Sequence, residues 1–275
     1  KYVFDFAVPM LLFSAVVQLE PPKASTSALF ISYYLPLVVI FLVGLAIAWW
    51  ALNRSLVESM VIGLGACFSN TVLLGIPLIP RALGNEALFP LFLIISVHGI
   101  TVFTAVTVAI EIARGRNAGL SELPQQVIRG LLANPLIVGL AAGFLWKLTG
   151  LGLHPLAEDM FDLVSTSVTP AALFVLGSSL AGYRLSGSIA PAILVSVLKN
   201  LLQPLLVFGV GYTLGLEPLW LSVAVLLAAM PTGVNMYLFA SRYDVSPPTA
   251  TTSILISTVS GIVTLSLVIG LLKLI

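Results

Sequence analysis

The sequence predicts an all-α integral membrane protein, and its composition and the placement of its charges lead to that prediction. Hydrophobic residues make up 59% of the 275 residues and charged residues only 8%, against roughly 25% in soluble domains. The charges also fall between long runs that contain none, and a spanning helix needs about 20 mostly apolar residues. A soluble domain is therefore excluded. The single cysteine, Cys67, excludes a disulfide framework and a cysteine metal site, and the net charge of +1 gives no indication of nucleic-acid binding.

Charge-free runs define the predicted helices, because a charged side chain is costly in the hydrocarbon core. The runs are continuous rather than alternating, which excludes the strands of a membrane barrel. Short runs extend where flanking charged side chains can reach the interface. The predicted helices are 1–19, 28–52, 57–80, 87–112, 127–149, 157–182, 188–213, 219–241 and 249–273.

An internal repeat emerges when the chain is aligned with itself at an offset of 161 residues. Pro9 then matches Pro170, and Thr71 matches Thr232. A chance alignment of two leucine-rich segments is the alternative. The second repeat, 127–275, contains five helices, whereas the first contains four, so we expect a first helix upstream of the given chain. Two five-helix repeats must enter the membrane from opposite sides, which predicts an inverted 5+5 repeat, nine helices of which are present.

Basic residues near helix ends predict the orientation. The first repeat is 1–112, and the connection 113–126 is predicted to be cytoplasmic because seven basic residues then lie on its side and four on the other. The cytoplasmic seven are Lys1, Arg54, Arg114, Arg116, Arg129, Arg184 and Arg242, and the other four are Lys23, Arg81, Lys147 and Lys273.

Two predicted helices carry proline and glycine beside short polar side chains near their middle. Residues 69–77 read Ser-Asn-Thr-Val-Leu-Leu-Gly-Ile-Pro, and residues 230–237 read Met-Pro-Thr-Gly-Val-Asn-Met-Tyr. Proline lacks the helical N–H donor and glycine loosens a turn, so we expect both helices to break and to direct amino ends at a bound anion. Ordinary kinks between packed helices are the alternative. The predicted substrate-binding residues are Asn70, Thr71, Gly75, Pro77, Pro231, Thr232, Gly233 and Asn235.

Two ionisable residues lie deep in predicted helices. Charges at that depth are usually functional, so Lys199 is predicted to bind substrate as a counter-charge or to join a gating ion pair. A lysine that reaches the interface is the alternative. His98 is a candidate for proton coupling, or else a neutral core histidine bonded to a carbonyl. Ser69 is a candidate for ion coupling beside the first break.

Catalytic patterns are missing from the sequence. It contains no paired acids, no His/Cys/Glu cluster and no Ser-His-Asp order at suitable positions. We therefore predict that the protein is not an enzyme and has no metal site, and that H⁺ or Na⁺ coupling is its only candidate cofactor requirement.

The two broken segments resemble the crossing helices of the auxin efflux carrier family. The resemblance rests on Ser-Asn-Thr-x-x-x-Gly-x-Pro at 69–77 and Pro-x-x-x-Asn at 231–235, with further similar pieces at Asn134-Pro135, Gly177-x-x-Leu180 and Lys199 followed by Pro204. It implies ten helices, an X-shaped crossing of broken helices and a bile-acid-symporter-like architecture. It also implies a dimerising scaffold, here 1–19 and 127–182, and a mobile transport part, here 28–112 and 188–273. The chain has no long hydrophilic central loop and so resembles the compact prokaryotic form, which predicts a multi-pass protein of the inner membrane.

The function predicted from these observations is secondary transport of small organic anions by alternating access, of the elevator type. The resemblance implies mono- or dicarboxylates, auxin-like or similar to malonate and malate. Its partners would be the anion, the lipid bilayer and a second copy of the chain, with no nucleic acid. The alternatives are a sodium-coupled bile-acid-type symporter and, from other classes, a channel or receptor-like membrane protein.

Overall fold

A computed structural model describes residues 2–18, 25–114, 125 and 135–272, and the regular structure within them is helical. Wider π-helical turns cover Tyr2–Ala7, Ile47–Ala51, Thr71–Gly75 and Leu198–Leu202, and a short 3₁₀ turn covers Asn85–Ala87. The α-helices of the described residues are α1 (Val8–Gln18), α2 (Thr26–Ala46), α3 (Leu56–Cys67), α4 (Ile76–Leu83), α5 (Leu88–Ala113), α6 (Pro135–Leu148), α7 (Pro155–Ala181), α8 (Ile189–Val197), α9 (Gln203–Thr213), α10 (Pro218–Ala229), α11 (Asn235–Tyr243) and α12 (Pro247–Leu272).

The length and composition of these helices make the chain a multi-pass membrane protein, as predicted. The helices long and apolar enough to span a bilayer are Thr26–Ala51, Asn85–Ala113, Pro155–Ser178, Ile189–Thr213 and Pro247–Leu272. Shorter apolar helices occupy part of each of the remaining predicted spans. Most of the predicted connection 113–126, and residues 127–134 of the helix predicted after it, lie outside the described residues.

As expected from the sequence, the predicted spans 57–80 and 219–241 are broken. Each is a pair of short helices separated by a gap, at residues 68–70 between α3 and the turn Thr71–Gly75, and at residues 230–234 between α10 and α11. The helices leading into the gaps are α3 and α10, and those leaving them begin at Thr71 and Asn235. We call the first pair the incoming helices and the second pair the outgoing helices.

The first gap lies earlier in the chain than its proline and glycine suggested. Gly75 closes the π turn in which the Ile76 N–H donates to the Thr71 carbonyl, and Pro77 lies at the start of α4. Proline is tolerated in a first helical turn because its missing N–H would have no intrahelical partner there. In the second gap, by contrast, Pro231 and Gly233 lie within the non-helical residues.

The helices pack into two groups. In one, α1 packs along α6 and α7, and the backbones come close because a Cβ added at Gly139 would lie 2.5 Å from the Pro9 carbonyl oxygen, and one added at Gly143 2.8 Å from that of Phe13. In the other, α3 packs against α2 and α11, and α12 packs against α8. The groups coincide with the residues assigned above to scaffold and transport part, although those roles remain predictions.

The two gaps cross and bond to each other through the main chain. The Asn70 N–H donates to the Pro231 carbonyl at 2.9 Å, and the Gly233 N–H donates to the Phe68 carbonyl at 3.0 Å. Ser69 and Thr232 form the antiparallel bridge between these bonds. The interrupted helices thus satisfy part of each other's freed backbone groups, which hydrocarbon could not do.

Candidate functional site

A cavity of about 210 Å³ lies at this crossing. Its walls come from the first gap and the turn after it, from α5 and from the start of α11. The lining residues are Phe68, Ser69, Asn70, Thr71, Val72, Leu73, Ile95, Gly99, Phe103, Val234 and Asn235.

Both outgoing helices begin at the cavity wall. The amino end of a helix carries partial positive charge, about half a unit per helix. At the start of α11 the Met236 and Tyr237 N–H groups already donate to the Gly233 and Val234 carbonyls, so the charge of this helix end acts mainly through its dipole. Asn70 immediately precedes one of these helices without capping it through its side chain, and Asn235 begins the other. Within the described residues, neither asparagine side chain forms a hydrogen bond. The arrangement therefore offers two helix ends and two free amide groups to an anion, and it places no charged side chain in the cavity wall.

The structure brings together four of the predicted residues. Asn70, Thr71 and Asn235 line the cavity, together with Ser69, whose hydroxyl accepts a hydrogen bond from the Tyr33 hydroxyl at 3.4 Å.

The other predicted residues of the two broken segments do not line the cavity, and instead pack or bond within the crossing. The Thr232 hydroxyl donates to the Gly65 carbonyl at 2.9 Å. A Cβ added at Gly233 would lie 2.8 Å from the Phe68 ring, and one added at Gly75 would lie 2.9 Å from Leu227. Pro77 lies within α4, and Pro231 contributes its carbonyl to the bridge.

Lys199 is fully buried but does not line the cavity. It lies in the π turn Leu198–Leu202 between α8 and α9, and its ammonium group donates to the Ala228 carbonyl near the end of α10. Arg54–Glu58 is the ion pair formed within the described residues, at 3.4 Å, so Lys199 has no carboxylate partner there. Its role as a counter-charge for substrate stays a prediction.

Polar residues near Lys199 hold the crossing, and their roles were not predicted. The Gln203 amide donates to the Cys67 carbonyl at 3.1 Å. Asn200 donates to the Ser257 carbonyl at 2.8 Å, while the Ser257 hydroxyl accepts the Thr232 N–H at 2.9 Å. The sequence feature that could have indicated these roles is the presence of three polar residues, Lys199, Asn200 and Gln203, within five positions of an otherwise apolar span.

His98 is buried beside the cavity and differs from the carbonyl-bonded histidine expected from the sequence. Its ring stacks on Phe68 at a centroid distance of 4.5 Å and meets Tyr33 edge-on at 5.5 Å. Neither ring nitrogen has a hydrogen-bond partner within the described part of the chain. A function in proton coupling stays a prediction.

A larger cleft of about 1230 Å³ separates the two helix groups. Leu11 of α1 and Asp162 of α7 lie on one wall, and Ile76 of α4 and Trp220 of α10 lie on the other. Its lining also includes residues of the connections 84–87 and 214–217, which the predicted orientation places on the non-cytoplasmic side. Ile76 directly follows the π turn that starts at the small cavity, so the cleft reaches close to the crossing.

Known proteins resemble the chain along nearly all of its length. The "Putative malonate transporter" of Rhizobium meliloti (strain 1021) is 29% identical over 100% of this chain and 85% of its own. Auxin efflux carrier component 8 of Arabidopsis thaliana is 22% identical over 93% of this chain and 83% of its own. An uncharacterized transporter of Methanothermobacter thermautotrophicus is 26% identical over 97% and 86%.

The profile of the membrane transport protein family matches residues 1–269. Together with the crossed, broken helices and the multi-pass architecture, this match shows that the chain belongs to that family, the auxin efflux carrier family its sequence resembles.

Proposed function

We propose that the protein is a secondary transporter of small organic anions, with mono- and dicarboxylates as its substrate class. The observation that carries the proposal is the cavity at the crossing, where the amino ends of both outgoing helices meet the side chains of Asn70 and Asn235. A carboxylate accepts hydrogen bonds only, and every polar group just named can donate one. Helix amino ends are established anion sites.

Relatives support the same substrate class. The names of two of them refer to malonate and to auxin, and both compounds are organic anions at neutral pH. The fold proposed from the 161-residue offset agrees with this class of carrier, since substrate sites of inverted-repeat transporters lie between the repeats. One of the two hydrogen bonds that join the gaps runs from Asn70 to Pro231, and these residues are partners at that offset.

Access to the site is proposed to alternate by movement of one helix group against the other. The large cleft lies between the group of α1, α6 and α7 and the rest of the protein. Because the two gaps are joined by main-chain hydrogen bonds, the crossing moves as one piece with its cavity. Movement of this kind is the elevator mechanism. We propose that the protein works as a dimer in the prokaryotic inner membrane, and that α1, α6 and α7 form the contacts between the two copies.

Uptake into proteoliposomes tests the proposal. Labelled malonate, malate and a set of monocarboxylates are offered with and without Na⁺ and pH gradients, and unlabelled substrate inside should accelerate uptake by counterflow. Asn70→Ala and Asn235→Ala should each abolish uptake in folded protein, whereas Asn85→Ala, at an exposed asparagine, should not.

Three results would contradict the proposal. Full transport by both Asn70→Ala and Asn235→Ala would show that the substrate does not bind at this cavity. Conductance without counterflow would indicate a channel. Uptake that required Na⁺ would favour the sodium-coupled symporter over the carrier proposed here.

A further inference from the structure

We propose that the ammonium group of Lys199 is a tethered monovalent cation, which fills a cation site formed by the carbonyl ends of the two incoming helices. This inference concerns the ends of α3 and α10 rather than the cavity, and it stands or falls independently of the substrate.

Burial without an acidic partner is the first observation. Lys199 is 0% exposed, and no carboxylate of the described residues lies within ion-pair distance of its ammonium group. A buried charge persists only where other groups compensate it. Within the described residues the compensation must therefore come from dipoles, and the hydrogen bond that the ammonium group forms there goes to the carbonyl of Ala228.

The breaks leave that carbonyl without its helical donor. In an uninterrupted helix the Thr232 N–H would bond to the Ala228 carbonyl, four residues earlier. Thr232 instead donates its N–H to the Ser257 hydroxyl at 2.9 Å. Lys199 takes the vacated carbonyl.

The same replacement occurs at the first break. The Thr71 N–H, which would bond to the Cys67 carbonyl in a continuous helix, donates to the Ser69 carbonyl at 2.8 Å. Gln203, one turn after Lys199, donates its amide to Cys67 at 3.1 Å. Cys67 and Ala228 are partners at the 161-residue offset, so two matched carbonyls each receive a donor from one short segment, Lys199–Gln203.

Charge distinguishes the two donors. The carboxyl end of each incoming helix carries about half a unit of negative charge, so two such ends at one crossing attract a full positive charge. Gln203 shows that a neutral amide can satisfy one carbonyl, yet its own Oε1 is buried without a partner in the described residues and is a further acceptor. Transporters place their coupling cations at such half-helix ends and unwound carbonyls. Lys199 supplies that charge from within the chain, so this position requires no free cation.

Thermal unfolding of the purified full chain tests the proposal in choline, sodium, potassium and methylammonium chloride at one ionic strength. The wild-type midpoint should not depend on which cation is present. Lys199→Ala should lower it in choline by more than about 5 °C, which corresponds to at least about 2 kcal/mol at this size. Methylammonium or an alkali cation should restore at least half of the loss, and the restoration should saturate. The matched control is Lys147→Ala, since Lys147 also donates to a carbonyl, that of Val16 at 3.5 Å, and its loss should respond equally to all four salts.

Lys199→Gln keeps a donor and removes the charge. We expect the thermal midpoint of this variant in choline to be lower than that of wild type. If Lys199→Ala does not fold, the midpoint of Lys199→Gln is the measurement that tests the proposal. A wild-type midpoint for Lys199→Gln in choline would show that Lys199 is only a hydrogen-bond donor. Equal destabilisation of Lys199→Ala in all four salts would likewise overturn the cation site.

Discussion

The crossing contains two kinds of helix end, and the structure treats them differently. The carboxyl ends of the incoming helices are closed from within, by Gln203 at Cys67 and by Lys199 at Ala228. The amino ends of the outgoing helices open on a cavity lined by Asn70 and Asn235. Each break thus produces two different helix ends. We call the closed carboxyl end of an incoming helix a structural end, and we call the amino end of an outgoing helix, where the anion is proposed to bind, a ligand end. The difference predicts that substitutions at the first kind of end change stability, whereas those at the second change transport.

The largest expected effect follows from adding a charge at a ligand end. Asn70→Asp places a carboxylate where the anion is proposed to bind, and like charges at one site cost several kcal/mol, so uptake should be abolished, a fall of more than about 100-fold. Stability should not fall, because aspartate is as good as asparagine beside a helix amino end. Uptake of labelled substrate and the thermal midpoint measure the two effects.

Asn85→Asp is the matched control for this change. Asn85 is exposed beside the large cleft, so the same added charge lies outside the cavity and should leave uptake within a few-fold of wild type. Equal losses in the two variants would mean that net charge, rather than the cavity, governs transport.

A smaller effect is expected at a structural end. Gln203→Leu leaves the buried Cys67 carbonyl without its Gln203 donor, which costs about 1–3 kcal/mol. The variant also removes Oε1, which has no partner in the described part of the chain, and this offsets part of the cost. The thermal midpoint should fall by a few degrees, while uptake per folded molecule is retained.

Gln18→Leu provides the comparison for that variant. Gln18 is an exposed glutamine at the end of α1, and its replacement should not lower the midpoint. An unchanged midpoint for Gln203→Leu would mean that the Cys67 carbonyl finds another donor, and the contrast between the two kinds of end would then fail.

The smallest effect is expected at His98, which forms no hydrogen bond to either kind of end within the described residues. His98→Phe keeps the stacking on Phe68 and removes two buried nitrogens that have no hydrogen-bond partner among the described residues, so the free energy of unfolding should stay within about 1 kcal/mol of wild type. Uptake of labelled substrate should respond to a pH gradient as in wild type if His98 is only a packing residue. Loss of uptake driven by a pH gradient in this variant would instead assign proton coupling to His98.

Much of the fold could be predicted because it depends on local composition. A run of apolar residues long enough to cross a bilayer is helical wherever it lies, so the spans follow from the placement of charges. The position of Asn70 and Asn235 in a cavity wall could also be predicted. Polar side chains are costly at that depth of a membrane span and usually face a cavity or the interior of the helix bundle.

The remainder depends on contacts between residues far apart in the chain. Gln203 lies 136 positions from Cys67, and nothing local to Gln203 identifies its acceptor. From Gly75 and Pro77 the first gap was expected several residues too late in the chain. In the structure Gly75 belongs to a π turn and Pro77 to the first turn of a helix, and both residues are as compatible with those elements as with a break. His98 has no polar partner in the described residues, and its aromatic neighbours come from α2 and the first gap.

The bridge that joins the two gaps consists of peptide groups, and this has a consequence for how the protein can evolve. At position 70 every amino acid except proline supplies the N–H that bonds to Pro231. Substitution of Asn70 by any residue but proline therefore keeps this hydrogen bond of the crossing. The side chain proposed to bind the anion can change at position 70 while the backbone that joins the two gaps stays the same.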